Sequence, residues 1–118
     1  GLQIISISNP TNPTLAGSYD TPGNATDLAV GGNYAYIADG EGSGLQVVNI
    51  SNPTNPTGIG GLYTPGQADR IHINGSQVYI ADGESGMRMI DVTTPSTPVE
   101  VADFETGGEV NDVATAGT

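Results

Sequence analysis

Apolar residues along this chain come in short runs of strand length, separated by turn residues. Gln46-Val47-Val48-Asn49-Ile50 and Val78-Tyr79-Ile80-Ala81 carry apolar side chains at successive positions, the pattern of strands covered on both faces. Taking one complete set, the runs are 25–31, 33–39, 44–50 and 57–63. Gly31-Gly32 and Asn74-Gly75 suit a tight hairpin with a positive φ. Asp39-Gly40 and Asp82-Gly83 begin the next reversal. Thr21-Pro22-Gly23 and Thr64-Pro65-Gly66 are expected to form type II turns, Pro setting the first central φ and Gly accepting the second. The Asn-Pro-Thr-Asn-Pro stretches read as stiff loops. The chain is therefore all-β.

The runs repeat. Gly1–Thr14 (Gly-Leu-Gln-Ile-Ile-Ser-Ile-Ser-Asn-Pro-Thr-Asn-Pro-Thr) returns from Gly44 to Thr57 with changes only at Val47, Val48 and Asn49. A more divergent copy starts at Gly86-Met87-Arg88-Met89-Ile90-Asp91, so the periods are 43 and 42 residues. Tyr36-Ile37-Ala38-Asp39-Gly40 likewise recurs as Tyr79-Ile80-Ala81-Asp82-Gly83. Four antiparallel strands per period of this length, with both faces needing cover, predict the blades of a β-propeller. A β-solenoid is the runner-up, but hairpin turns favour blades.

With the first strand of each unit innermost, the chain reads as a partial β-propeller of tandem four-stranded antiparallel blades, about 42 residues per repeat. Residues 1–22 hold the outer two strands of one blade, 24–65 and 67–106 are complete blades, and 108–118 supply the inner strand of the next. A propeller closes with four to eight blades. The chain is thus expected to continue into further blades of a longer polypeptide, with a homo-oligomeric ring as the alternative.

The third-strand segment Leu45-Gln46-Val47-Val48-Asn49, with its copies at 2–6 and 87–91, resembles the LVIVD repeat of bacterial and archaeal extracellular propellers. Tyr-Ile-Ala-Asp-Gly and Ser-Asn-Pro-Thr-Asn-Pro look like parts of the same repeat, and the resemblance spans essentially the whole chain. Ser6 and Asn49 depart from the motif's final Asp, which only Asp91 matches. The resemblance implies a secreted or cell-surface setting and a binding or scaffolding role. It carries no shared catalytic residues.

Charge narrows the partners. Thirteen acids face two arginines, for a net charge of −11. Such a chain repels nucleic acid phosphates and anionic membrane surfaces, and no apolar run approaches spanning length. A protein or other surface ligand, basic in character, is the expected partner. The absence of Cys excludes disulfides, thiolate nucleophiles and Cys-based zinc sites.

Blade topology sorts the acids. Ten of the thirteen (Asp20, Asp27, Asp39, Glu41, Asp69, Asp82, Glu84, Glu105, Glu109, Asp112) fall at the face that holds the second-to-third-strand turns and the interblade links. The Asp39/Glu41 and Asp82/Glu84 loops are the oxygen-ligand candidates for Ca²⁺, although their spacing does not match the 12-residue calcium loop. Asp before Gly is equally ordinary turn chemistry. No other cofactor is expected.

A second constellation lies at the channel mouth. Asp27, Arg70 and Asp112 occupy equivalent places in three successive inner strands, so Arg70 is expected to pair with the flanking carboxylates; the functional reading is an anchor for an anionic ligand. His72, the sole histidine, projects beside Arg70 and is expected to be a packed ring. Tyr36 and Tyr79 read as interblade packing, and Met87 and Met89 as core fillers. With no nucleophile elbow or metal motif, a non-enzymatic cell-surface or secreted module acting through its acidic face is the preferred reading. The alternatives are a propeller enzyme with its site around Asp27, Arg70, His72 and Asp112, and a pure spacer.

Overall fold

The computed structural model describes residues 1–117. It contains strands β1 (Leu2–Ser6), β2 (Thr14–Tyr19), β3 (Asp27–Gly31), β4 (Tyr34–Ala38), β5 (Gly40–Glu41), β6 (Leu45–Asn49), β7 (Thr57–Leu62), β8 (Gln67–Ala68), β9 (Arg70–Asn74), β10 (Gln77–Ala81), β11 (Met87–Asp91) and β12 (Val99–Phe104), and no helix forms among the described residues. Two four-stranded antiparallel sheets, β3-β4-β6-β7 and β9-β10-β11-β12, follow a two-stranded one, β1-β2. Together they are elongated, with extents of 46 × 27 × 24 Å.

Local chemistry explains the joints. The β3–β4 and β9–β10 hairpins turn on two residues each. The first residue of each loop takes the left-handed conformation, Gly32 with φ 57° and Gly75 with φ 62°, the arrangement of a type II′ turn. In the β1–β2 and β6–β7 loops, Asn9 and Asn52 carbonyls accept the amides of Asn12 and Asn55 at 3.0 Å, and Thr94 accepts from Thr97 in the same way at 2.9 Å. The Asn9 and Asn52 side chains add bonds from the hydroxyls of Thr11 and Thr54. Each third-to-fourth-strand ladder carries a bulge at an equivalent place, after Ile4, Val47 and Met89. Such a bulge increases twist and kinks the outer strand.

The Thr-Pro-Gly links depart from expectation. Gly23 and Gly66 are not among the glycines with positive φ, so these are not the type II turns predicted from the sequence. Glycine is required there for space. A Cβ on Gly23 would collide with the Asp39 carbonyl oxygen, and one on Gly66 with that of Asp82.

The core lies between sheets. Ala35, Ile37 and Val48 meet Leu2 and, at the margin, Ile4 and Tyr19 of the first unit. On the other face of the same sheet, Tyr36, Ala38, Leu45 and Val47 meet Ile71, Val78, Ile80 and Ile90 of the next. Strand alternation thus feeds two interfaces from one sheet, which is why β4 and β6 carry apolar residues on both faces. Each fully buried Leu, Ile or Val contributes roughly 1.5–3 kcal/mol by the hydrophobic effect. Tyr79, Met87 and Met89 project from the far face of the last sheet and are half-buried.

Short pairings reinforce the stack. β5 pairs with β8, and Gly83 bridges Val110 one repeat later. Residues 108–118, read above as the inner strand of a further blade, form no strand over their described part. Val110 alone makes a bridge, and 111–117 run without a ladder. A strand needs a neighbour to bond with, and its hairpin partner has no counterpart here. Thr118 lies outside the described residues.

Candidate functional site

The turn after each second strand is built around a buried carboxylate. Asp39 and Asp82 are both fully buried. Their amides donate to the Gly44 and Gly86 carbonyls at 2.8 Å, closing the turns. Their side chains reach back to the link that enters the same unit. The Gly23 amide donates to Asp39 Oδ2 at 2.7 Å, and the Gly66 amide to Asp82 Oδ2 at 2.9 Å. Each carboxylate thereby clasps an interblade link to the sheet that follows it.

The two clasps differ in completeness. Asp82 Oδ1 also accepts the Thr64 hydroxyl at 2.6 Å, and Arg88 brings its Nε to 3.5 Å from Asp82 Oδ2. Arg88 is itself largely buried. It donates to the Ser85 carbonyl at 3.0 Å and lies 3.4 Å from Glu100 and 3.7 Å from Asp103. In the preceding unit Gln46 stands where Arg88 stands, and donates to the equivalent Ser43 carbonyl at 3.1 Å. Among the described residues no cation reaches Asp39, and the buried Asp39 Oδ1 and Thr21 Oγ1 have no hydrogen-bond partner; in the Asp82 clasp the buried Arg88 Nε also makes no hydrogen bond, so its attraction to Asp82 is electrostatic. Sequence reasoning passed over Arg88. The available signal was a charge in the third-strand run at the position that holds Gln3 and Gln46 in the other copies.

The four oxygen-ligand candidates are therefore divided by burial. Asp39 and Asp82 are tied into the clasps, whereas Glu41 and Glu84 are exposed. Glu41 and Glu84, from equivalent turns of two successive repeats, and Glu109, from the segment that follows the second of them, line a single open cleft of about 330 Å³, with Gln67 and Ser85 beside them. Among the described residues no three His, Asp or Glu side chains converge as a metal site.

At the channel mouth the expected ion pair is not formed. Asp27 Oδ2 accepts the Ile71 amide at 3.0 Å, so the carboxylate is already engaged by the neighbouring inner strand. Arg70 is exposed and donates to the carbonyl of Asp69 at 3.1 Å. Asp112 is exposed and accepts the Val113 amide at 2.9 Å. His72 is half-buried, opposite Tyr79 in the β9–β10 ladder. Among the described residues the ion pairs belong to Arg88 alone.

Two further groups titrate away from their ordinary values. Tyr36 is pushed up by burial between sheets and then by Tyr34, whose ring centroid is 6.5 Å away. Asp91 is held below the usual carboxylate range by the hydroxyl and then the amide of Thr93, the amide donating at 2.7 Å. Asn49 makes the same bond to the Ser51 amide at 2.9 Å, and the Ser8 amide lies 3.5 Å from Ser6 Oγ. The last position of the third strand is thus an oxygen that accepts the amide two residues on, and Asp, Asn and Ser all supply one.

The LVIVD repeat model matches residues 1–21, 22–64 and 65–106 in succession. The chain belongs to the LVIVD-repeat family. The matched segments divide the chain much as the sheets do, one unit per β1–β2 pair or four-stranded sheet. No curated protein matches this LVIVD-repeat chain in sequence. No helix among its described residues is long and apolar enough to cross a membrane.

Proposed function

We propose that this LVIVD-repeat module is a non-enzymatic binding or scaffolding unit of a secreted or cell-surface protein, and that it engages a basic protein partner through its acidic face. The observation that carries this reading is the interblade cleft lined by Glu41, Glu84 and Glu109. Three exposed carboxylates, two of them from equivalent turns, in a chain of net charge −11, favour a cationic surface and speed its encounter. The buried clasps support the same reading. By consuming Asp39 and Asp82 structurally, they hold the Glu-bearing turns in place.

Calorimetric titration with a Lys-rich peptide tests the proposal. Binding is expected to weaken steeply as salt rises from low to physiological strength, since the Debye length falls to about 8 Å there. The variant carrying Glu41→Gln, Glu84→Gln and Glu109→Gln should lose most of the affinity while its melting temperature is retained. Binding indifferent to both salt and the triple substitution would refute the acidic-face reading.

A further inference from the structure

Two buried carboxylates hold equivalent places in the stack, yet only one has a positive charge beside it. Asp39 and Asp82 are each 0% exposed. Arg88 Nε lies 3.5 Å from Asp82 Oδ2, and the outer end of the same guanidinium reaches Glu100 and Asp103. In the preceding unit Gln46 replaces Arg88, and the ladder positions of Glu100 and Asp103 are taken by Gly58 and Gly61. The arginine and its two outer acids are exchanged together, while the buried carboxylate stays.

The polar atoms around Asp39 register that exchange. Thr64 donates its hydroxyl to Asp82 Oδ1 at 2.6 Å. Thr21 holds the same place in its own link, but the buried Thr21 Oγ1 and Asp39 Oδ1 make no hydrogen bond to each other or to any described residue. Buried polar atoms are nearly always satisfied, whether by protein, water or an ion. Further oxygens adjoin these two. A Cβ on Gly23, whose amide holds Asp39 Oδ2, would come within 2.6 Å of Ser43 Oγ. The 39–44 turn is also one residue longer than its counterpart 82–86, which adds a backbone carbonyl.

We infer that Asp39 Oδ1 and Thr21 Oγ1 are ligands of a small monovalent cation of the sodium class, which supplies at Asp39 the positive charge that Arg88 supplies at Asp82. Charge selects a cation over a water molecule, because a buried carboxylate without compensation is costly and water brings no charge. Donors that are all oxygen select a hard ion. Valence follows from the count of acids. Asp39 is the one carboxylate of its clasp, whereas calcium sites gather several, and among the described residues no three His, Asp or Glu side chains converge. By joining the link at Thr21 to the turn at Asp39, the ion completes the clasp that Thr64, Asp82 and Arg88 complete without one.

The test is thermal unfolding of the full chain in chlorides of equal ionic strength, sodium against tetramethylammonium, whose cation is too large to enter. Screening of the net charge is the same in both. Wild type is expected to melt a few degrees higher in sodium, the midpoint rising with the logarithm of sodium concentration once the site is filled. Gln46→Arg brings its own cation, so it should gain most of that stability in tetramethylammonium and respond little to sodium. Thr21→Val keeps the shape and the net charge but removes a ligand, and should lose most of the sodium response. Sodium-23 NMR reads the ion itself: wild type should broaden the line more than Thr21→Val at equal concentration. The Gln46→Arg comparison stands if Thr21→Val does not fold. Equal melting of wild type in the two salts, or an undiminished sodium response in Gln46→Arg, overturns the inference. If Thr21→Val melts lower by the same amount in either salt, a direct Thr21–Asp39 hydrogen bond closes the clasp and the ion is excluded. A response to micromolar calcium chloride, with none to sodium, overturns it in favour of a divalent site.

Discussion

Asp82 and Asp39 occupy the same place in consecutive repeats and differ in what surrounds them. Asp82 has a hydroxyl, an amide and a guanidinium at hand; Asp39 has one amide. Removing Asp82 breaks two hydrogen bonds to a charged group, at roughly 1.5–3 kcal/mol each, and leaves Arg88 with only its outer partners Glu100 and Asp103, whereas Asp39 forfeits a single such side-chain bond. Asp82→Ala is therefore expected to lower stability by about 3 kcal/mol and Asp39→Ala by clearly less, measured by urea unfolding. The converse change is Gln46→Arg. It brings to Asp39 the cation that Arg88 brings to Asp82 and keeps the Ser43 carbonyl as acceptor. We expect a gain of about 1 kcal/mol, a rise of a few degrees in melting temperature; an unchanged or lower value would count against the clasp. The third-strand terminus yields a pH test. The folded-state pKa of Asp91 is depressed below 3.8, so its stabilisation is present above that pH and fades as pH falls through the lowered value. The melting temperature of wild type should exceed that of Asp91→Asn above about pH 5, with the gap closing in strong acid.

Among the elements, the links carry as much constraint as the strands. The strand and hairpin segments are legible in sequence because their signals are local: alternation, Gly at a positive φ, Pro and Asn in turns. The Thr-Pro-Gly links are misread for the opposite reason. The need for Gly at 23 and 66 arises from the carbonyl of a residue 16 positions away, which no turn rule detects. Gly66→Ala should accordingly destabilise by about 1–3 kcal/mol through overpacking. Gly75→Ala would instead act through its positive φ, so the two variants should not be rescued by the same change. A Gly75→Asn substitution is expected to recover part of the loss, since Asn enters positive φ more readily than Ala although a type II′ turn favours Gly there, and Gly66→Asn none of it. Denaturant midpoints of the four variants decide the matter.

For the molecule as a whole, the acids divide into two populations that charge counting merges. Asp39 and Asp82 lie inside the stack; Glu41, Glu84 and Glu109 face the open cleft. Surface substitutions usually change stability by less than about 0.5 kcal/mol, so the triple Glu→Gln variant should melt close to wild type while Asp82→Ala melts well below it. With a net charge of −11, self-repulsion also opposes the compact state. Raising sodium chloride from low to physiological concentration is expected to raise the melting temperature of wild type more than that of the triple variant.

What the sequence determined by itself is the unit: four antiparallel strands, their hairpins, and its recurrence at 42 or 43 residues, because alternation and turn chemistry act within a few positions. It also placed Glu41, Glu84 and Glu109, which line one cleft, among the turn and link residues. Tertiary structure decided which polar groups meet. Gly23 and Asp39 are 16 residues apart, Thr64 and Asp82 are 18, and Asp27 and Ile71 are 44. The sequence points to Arg70 as the paired arginine, yet Arg70 lies on the surface and Arg88 sits over a buried carboxylate. Only stacking one sheet on the next sets those distances, since burial and hydrogen-bond geometry belong to the interface between repeats and not to any repeat alone.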